Sequence, residues 1–214
     1  TATQRKVQKV LAKPKIMKIV IKDGKSKGFY QQWNGTLAAS SKERGGQTLV
    51  HEYGHHVDYS IPKKSGAGFS VHDKAWSESS RDFNIAFQAD RKNLKLMPRD
   101  HKTSLKAWKE KLYDTVETPI SKYQVGIKSE IKILEGTTFS DIIDAMSGGA
   151  FHTNFHAWGH GKEYYKRRGS KAKETFANLY ALRNTNFWKT VEVEMPNLAR
   201  EFDKILKEVA DAGS

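Results

Sequence analysis

His51-Glu52-Tyr53-Gly54-His55 carries the residue types with the clearest chemistry in this chain. It lies inside an apolar-periodic run, residues 47–61, whose pattern predicts a helix. Residues four apart on a helix share a face, one turn above each other. Both imidazoles can therefore reach one metal ion. Glu52, about 100° round the same turn, can reach a water held there. Two His donors, a carboxylate base and a helix to fix their geometry make up the zinc-peptidase arrangement.

A catalytic zinc site takes three protein ligands and keeps one position open. The residue six past His55 is Ile61, which cannot ligate, so the third donor must come from farther away. With no cysteine in the chain, a carboxylate on a downstream helix is the remaining option. Glu174 is the best candidate. It falls in the first turn of a predicted helix over 172–182, in front of Phe176 and small Ala177. A small residue there lets two helices approach. An acidic residue in a first turn also suits the helix macrodipole without any ligand role. Asn178, one turn on, is placed to orient a ligand imidazole or to sit at the surface.

Other residues bear on the same site. Gly54 costs roughly 1 kcal/mol against Ala inside a helix; it reads as a sign that something, the Glu174 helix being the candidate, packs close to its backbone, the alternative being a tolerated defect. Asp58 can accept a proton from a ligand His or simply end the helix. His56 lies about 100° from His55 and is not expected to ligate. His152, His156 and His160 recur at intervals of four, but Gly159 and Gly161 disfavour a helix. They read as loop histidines near the cleft rather than a second metal site. Tyr164 and Tyr165 offer hydroxyls that can donate to a developing oxyanion, or rings that pack.

The elements that must position these groups follow from the pattern. Residues 1–15 form a basic N-terminal segment, and 16–214 read as a single domain. Ile16-Met17-Lys18-Ile19-Val20-Ile21 is rich in β-branched residues and reads as a buried strand. Residues 28–39 form a second β region, with Asn34-Gly35 as a two-residue hairpin turn or, alternatively, one long edge strand with a bulge. Residues 40–46 are a polar turn in which Ser41 can cap the motif helix. Leu49, Val50, Tyr53 and Val57 supply that helix's buried surface, and Pro62 ends it.

Beyond it, 71–96 and 102–116 read as helices anchored by Trp76, Phe83, Phe87 and Trp108, with Pro98 and Pro119 as breaks. Residues 121–134 are read as helix. Ser140 is read as the cap of a short helix over 141–146 that Ser147-Gly148-Gly149 terminates. Residues 151–161 form a loop. Pro196 and Asn197 open a last amphipathic helix through Leu198, Phe202, Ile205, Leu206 and Val209. Strands cluster before residue 46 and helices follow, which is an α+β arrangement.

The chain has 214 residues and a formal net charge of +13. Residues 1–22 contain seven basic residues and no acidic one, so a polyanion such as DNA is a candidate contact. No Cys/His finger or aromatic RNA-binding signature is present. No apolar run is long enough to span a bilayer, and no membrane partner is expected. The chain opens at Thr1 without a signal peptide and reads as part of a longer polypeptide, so localisation is open.

His51-Glu52-Tyr53-Gly54-His55-His56-Val57-Asp58-Tyr59, together with Glu174-Thr175-Phe176-Ala177-Asn178-Leu179-Tyr180, resembles the catalytic domain of lethal-factor-type toxin metalloproteases. Two further stretches are Ser140-Asp141-Ile142-Ile143-Asp144-Ala145-Met146-Ser147-Gly148-Gly149 and Gly159-His160-Gly161-Lys162-Glu163-Tyr164-Tyr165. They are more specifically similar to zincin-like domains fused to phage minor head, or head morphogenesis, proteins. The resemblance covers roughly 16–210, with a poorly matched insertion between the motif helix and Asp141. It implies a zincin-like gluzincin fold, a Zn²⁺ cofactor held by His51, His55 and Glu174, and Glu52 as base. It implies a tyrosine ahead of the third-ligand helix as transition-state donor, a role that Tyr165 fits best and Tyr164 next. The expected activity is metal-dependent cleavage of a peptide or protein substrate, in a virion or a host bacterial cytoplasm, with phage head proteins as possible partners. The rival readings are a non-catalytic virion protein that contacts DNA and a toxin protease domain.

Overall fold

A computed structural model describes residue 5 and residues 18–22, 28–40, 45–61, 74–96, 104–123, 129–150 and 160–212. Within these, the chain is mixed α+β, mostly helical, with one small sheet.

Three strands form the sheet: β1 (Lys18–Lys22), β2 (Phe29–Gln31) and β3 (Thr36–Ser40). Their order is β1-β3-β2, with β1 parallel and β2 antiparallel to β3. The β2–β3 hairpin turns at the expected place. Gln31 pairs with Thr36, so its loop has four residues rather than two. Gly35 takes a φ of 62°, and the Asn34 side chain accepts from the Thr36 amide at 3.0 Å. β1 is not the buried strand the sequence suggests. It lies at the end of the strand order, and Ile19 and Ile21 are 51% and 56% exposed. Central β3 takes the buried place, with Leu37, Ala38 and Ala39 inaccessible or nearly so. Its small side chains let a helix lie close over the sheet.

That helix is α1 (Gly45–Ser60), which packs on β3 and β2. Val57 is fully buried and Tyr53 packs against the core, whereas Val50 points outward at 36% exposure. The positions read as Ser41 and Pro62 at its ends lie outside the described residues. Residues 76–93 are two helices, α2 (Trp76–Ser79) and α3 (Arg81–Asn93), where one was expected. Ser80 breaks them and caps α3, its Oγ accepting from the Phe83 amide at 3.2 Å. Buried Asp58 near the end of α1 accepts from the amide and hydroxyl of Ser77, at 2.7 and 2.6 Å. It ties α1 to α2 rather than to a ligand imidazole.

α4 (Leu105–Tyr123) runs through Pro119 instead of stopping before it. α5 (Ser129–Ser147) is one long helix that contains Ser140. The Ser140 hydroxyl bonds back to the Gly136 carbonyl at 2.8 Å, so it continues the helix instead of capping it. Gly148 and Gly149, at φ 73° and 81°, end α5 as expected.

The remaining helices are α6 (Gly161–Tyr165), α7 (Ser170–Leu182), α8 (Trp188–Glu194) and α9 (Pro196–Ala212). α8 has no counterpart in the sequence reading. α9 matches it residue by residue: Leu198, Phe202, Ile205, Leu206 and Val209 are all buried. Phe202 meets Phe176 and Trp188 with ring centroids 5.0 and 5.8 Å apart. Full burial of each such side chain is worth about 1.5–3 kcal/mol. The core so formed fixes α7 between α1 and α5, its two closest helical neighbours.

Candidate metal centre

α1 and α7 bring the site together. Their close approach depends on Gly54. A Cβ built there would stand 2.9 Å from Ala177 Cα and 3.0 Å from both the Ala177 carbonyl oxygen and Tyr180 Cβ. Only a hydrogen fits. The helix backbones therefore meet one residue before His55 and three residues after Glu174.

Glu174 is the fifth residue of α7, not part of its first turn. The macrodipole explanation for an acid there consequently falls away. The carboxylate is 3% exposed and faces two imidazoles across the interface. His51 Nε2 and His55 Nε2 lie 3.4 and 3.6 Å from Glu174 Oε2. The ligating atoms of these three residues all fall within 4.8 Å of one another. Asn178 is one turn farther along α7. Its Oδ1 accepts from His51 Nδ1–H at 2.8 Å, which turns the other ring nitrogen, Nε2, toward Glu174.

Charge reinforces this geometry. Burial alone would raise the Glu174 pKa, but His55, His160 and His51 hold the carboxyl well below its usual range. Burial would lower His51, and the bond to Glu174 together with its charge overcomes this and raises His51 to about 9. A single cation, whether a proton or a metal ion, satisfies the cluster.

The second oxygen of Glu174 is also held. Tyr164 donates its hydroxyl to Oε1 at 2.5 Å, and burial with the adjacent carboxylate pushes that phenol's pKa upward. Tyr164 stacks on His160, centroids 3.9 Å apart at 22°. His160 Nε2 is also 3.4 Å from Glu174 Oε2, and its side chain is 47% exposed. Tyr165 is 4% exposed, and its hydroxyl meets the His160 backbone amide. Of the two tyrosines it is Tyr164 whose hydroxyl reaches the donor cluster. His160 and Tyr164 are four residues apart, a spacing that could have flagged the pair. His152 and His156 lie outside the described residues.

Glu52 is nearly buried beside the cluster. Its Oε1 would stand 3.3 Å from a Cβ at Gly28, where such an atom would also overlap Thr48 Cγ2. Gly28 thus lets the chain leading into β2 pass close to the carboxylate, a constraint the sequence reading missed. His56 turns away from the cluster of His51, His55 and Glu174, its Nδ1 3.1 Å from the Tyr30 hydroxyl. Ile61 is a core residue.

No protein family, curated protein or solved structure matches this chain. The donor set itself must indicate what the site can hold. Tetrahedral zinc with bonds of about 2.0–2.1 Å separates its donors by about 3.3 Å. The spacings of 3.4 and 3.6 Å meet that condition. Two imidazoles and one anionic carboxylate are borderline-hard donors suited to zinc. His160, whose Nε2 is as close to Glu174 Oε2 as that of His51, borders the set with a half-exposed side chain.

Proposed function

We propose that this chain is a zinc-dependent metalloendopeptidase with a zincin-like, gluzincin-type site. The observation that carries this reading is the convergence of His51, His55 and Glu174 across the α1–α7 contact, with Asn178 orienting His51. Zinc held there would polarise a scissile carbonyl and acidify a water molecule. Glu52 is the residue to take that water's proton and return it to the leaving amine. The Tyr164 hydroxyl, on leaving Glu174 Oε1, would turn to a carbonyl oxygen gaining charge, a role the resemblance gave first to Tyr165. Tyr165 supports it by holding the His160 backbone.

A peptide would lie along the β segment 28–39 by strand addition. β3 has neighbours on both edges, so the outer edge of β2, Phe29–Gln31, is the part of that segment open to it among the described residues. A phage or prophage setting follows from the resemblance to head-morphogenesis zincin-like domains. The net charge of +13 keeps one second reading in play, a virion protein that touches DNA.

The test is metal analysis joined to cleavage of a peptide library. One zinc per chain and discrete cuts are expected. Glu52→Gln should keep the zinc and lose cleavage by at least about 100-fold. Equal cleavage by this variant would refute the base assignment. Unchanged zinc content in Glu174→Ala would refute the donor set.

A further inference from the structure

Between the turn into α6 and Glu174 the chain is strongly basic. Lys162, Lys166, Arg167, Arg168, Lys171 and Lys173 stand against one acid, Glu163. The first four are exposed. Glu163 is already engaged, its carboxylate 2.6 Å from Lys166 Nζ. Two of the cations are joined to the site through aromatic rings. The Arg167 guanidinium lies 5.4 Å from the centroid of Tyr164, the ring whose hydroxyl bonds Glu174. Lys173 Nζ is 3.4 Å from the Tyr59 hydroxyl, and the Tyr59 ring is 6.0 Å from that of Tyr30 in β2. Arg167 and Lys173 thus stand beside the tyrosines that lead from the outer strand to the donor cluster.

The acids packed near this rim do not cancel it. Asp58, close enough to Lys173 to feel its charge, is buried and committed to Ser77. Glu78 lies against Gly169, and its Oε2 would stand 2.9 Å from a Cβ there. Asp141 and Asp144 lie close enough to act on Tyr165, while Lys162, Lys166, Arg167 and Arg168 are exposed to solvent.

We infer that this rim is a specificity subsite for acidic side chains, so that the substrate is a peptide with Asp or Glu flanking the cleaved bond. The inference rests on the peptidase reading, and its physical basis is simple. Arg and Lys beside a low-dielectric cleft raise the local concentration of anionic ligands and favour carboxylates over neutral side chains. Arg167 offers a planar fork for a carboxylate while keeping its place over Tyr164.

Three fluorescent peptides of equal length, acidic, neutral and basic, would be titrated against the Glu52→Gln protein by anisotropy, and cleavage of the same peptides by the wild type followed in parallel. The acidic peptide should bind about tenfold tighter than the neutral one, the scale of two exposed ion pairs. That preference should fade as salt shortens the screening length. Arg167→Glu with Arg168→Glu should abolish it. Lys189→Glu with Lys207→Glu makes the same charge change on α8 and α9 and should leave it standing. Equal loss in both double variants would reduce the effect to overall charge and overturn the subsite. So would tighter binding of a duplex DNA of matched charge that the rim reversal abolishes, since the rim would then be a nucleic-acid surface. If binding follows the rim but the wild type cuts no peptide, the peptidase reading fails while the acidic-peptide subsite stands.

Discussion

Gly54→Ala tests the helix contact on which the whole site depends. In an open helix this change adds about 1 kcal/mol of stability. Here the new methyl meets Ala177 Cα at 2.9 Å and the Ala177 carbonyl oxygen and Tyr180 Cβ at 3.0 Å. Carbon atoms settle near 3.5–4.0 Å, so α1 and α7 must part by roughly 0.6–1 Å. Overpacking of this kind costs about 1–3 kcal/mol. After the helix gain is subtracted, the expected net loss is about 1 kcal/mol, with a fall in Tm of roughly 2–4 °C.

The same displacement stretches the His51–Glu174 and His55–Glu174 separations beyond 3.4 and 3.6 Å, away from what a tetrahedral ion requires. Zinc affinity should therefore fall by at least about tenfold, within the range seen when support of a metal site is lost. Thermal melts in chelator and a zinc titration against a competing dye measure the two effects. Ala177→Gly in the same protein leaves both backbone contacts in place and should rescue neither. A Gly54→Ala protein that melts at or above the wild type and binds zinc unchanged would refute the argument.

Other expectations follow from neighbouring contacts. Asn178→Ala removes the acceptor of His51 Nδ1–H and should weaken zinc about 10–100-fold with little change in the chelated melt. Metal-free protein should lose stability as pH rises. The folded chain holds the His51 proton up to about 9 while the unfolded chain releases it near 6.5, so this contribution is full below 6.5 and gone above 9. Its size is at most roughly 3 kcal/mol, and urea melts in chelator from pH 6 to 9.5 should show a slope that His51→Gln flattens. Asp90→Ala should cost about 2–4 kcal/mol, because this buried carboxylate accepts from Asn197 Nδ2 and the Leu198 amide, each at 2.7 Å, at the start of α9. A drop in Tm of less than about 3 °C would count against that estimate.

The site was readable wherever its logic is local to one helix. His51 and His55 share a face because four residues make about one turn, and Gly54 in such a helix already signals a close neighbour. Glu174 and Asn178 could be paired with that helix because the residues between them include small Ala177. What escaped depends on which surface meets which. Ile19 and Ile21 look like core residues, yet they lie on a strand with one sheet neighbour. Ser140 has a cap's chemistry, but the helix before it continues and its hydroxyl bonds backward. Pro119 breaks no helix here, although the ring removes one amide from the ladder. His160 was one of three similar histidines until the turn into α6 stacked it on Tyr164 and set its Nε2 beside Glu174.

The bond between His51 and Asn178 joins residues 127 positions apart. That distance sets an order of assembly. During synthesis at about 5–20 residues per second, the first imidazole emerges roughly 6–25 s before the helix that completes its surroundings. Closing so long a loop costs about 4 kcal/mol in chain entropy, so the contact forms only when the core around Phe176 and Phe202 can support it. A chain released before residue 174 carries His51, Glu52 and His55 without Glu174. If the assembled site cuts peptides, the hydrolytic power of this protein is withheld until its C-terminal helices exist, and a nonsense codon anywhere before Glu174 yields a harmless fragment.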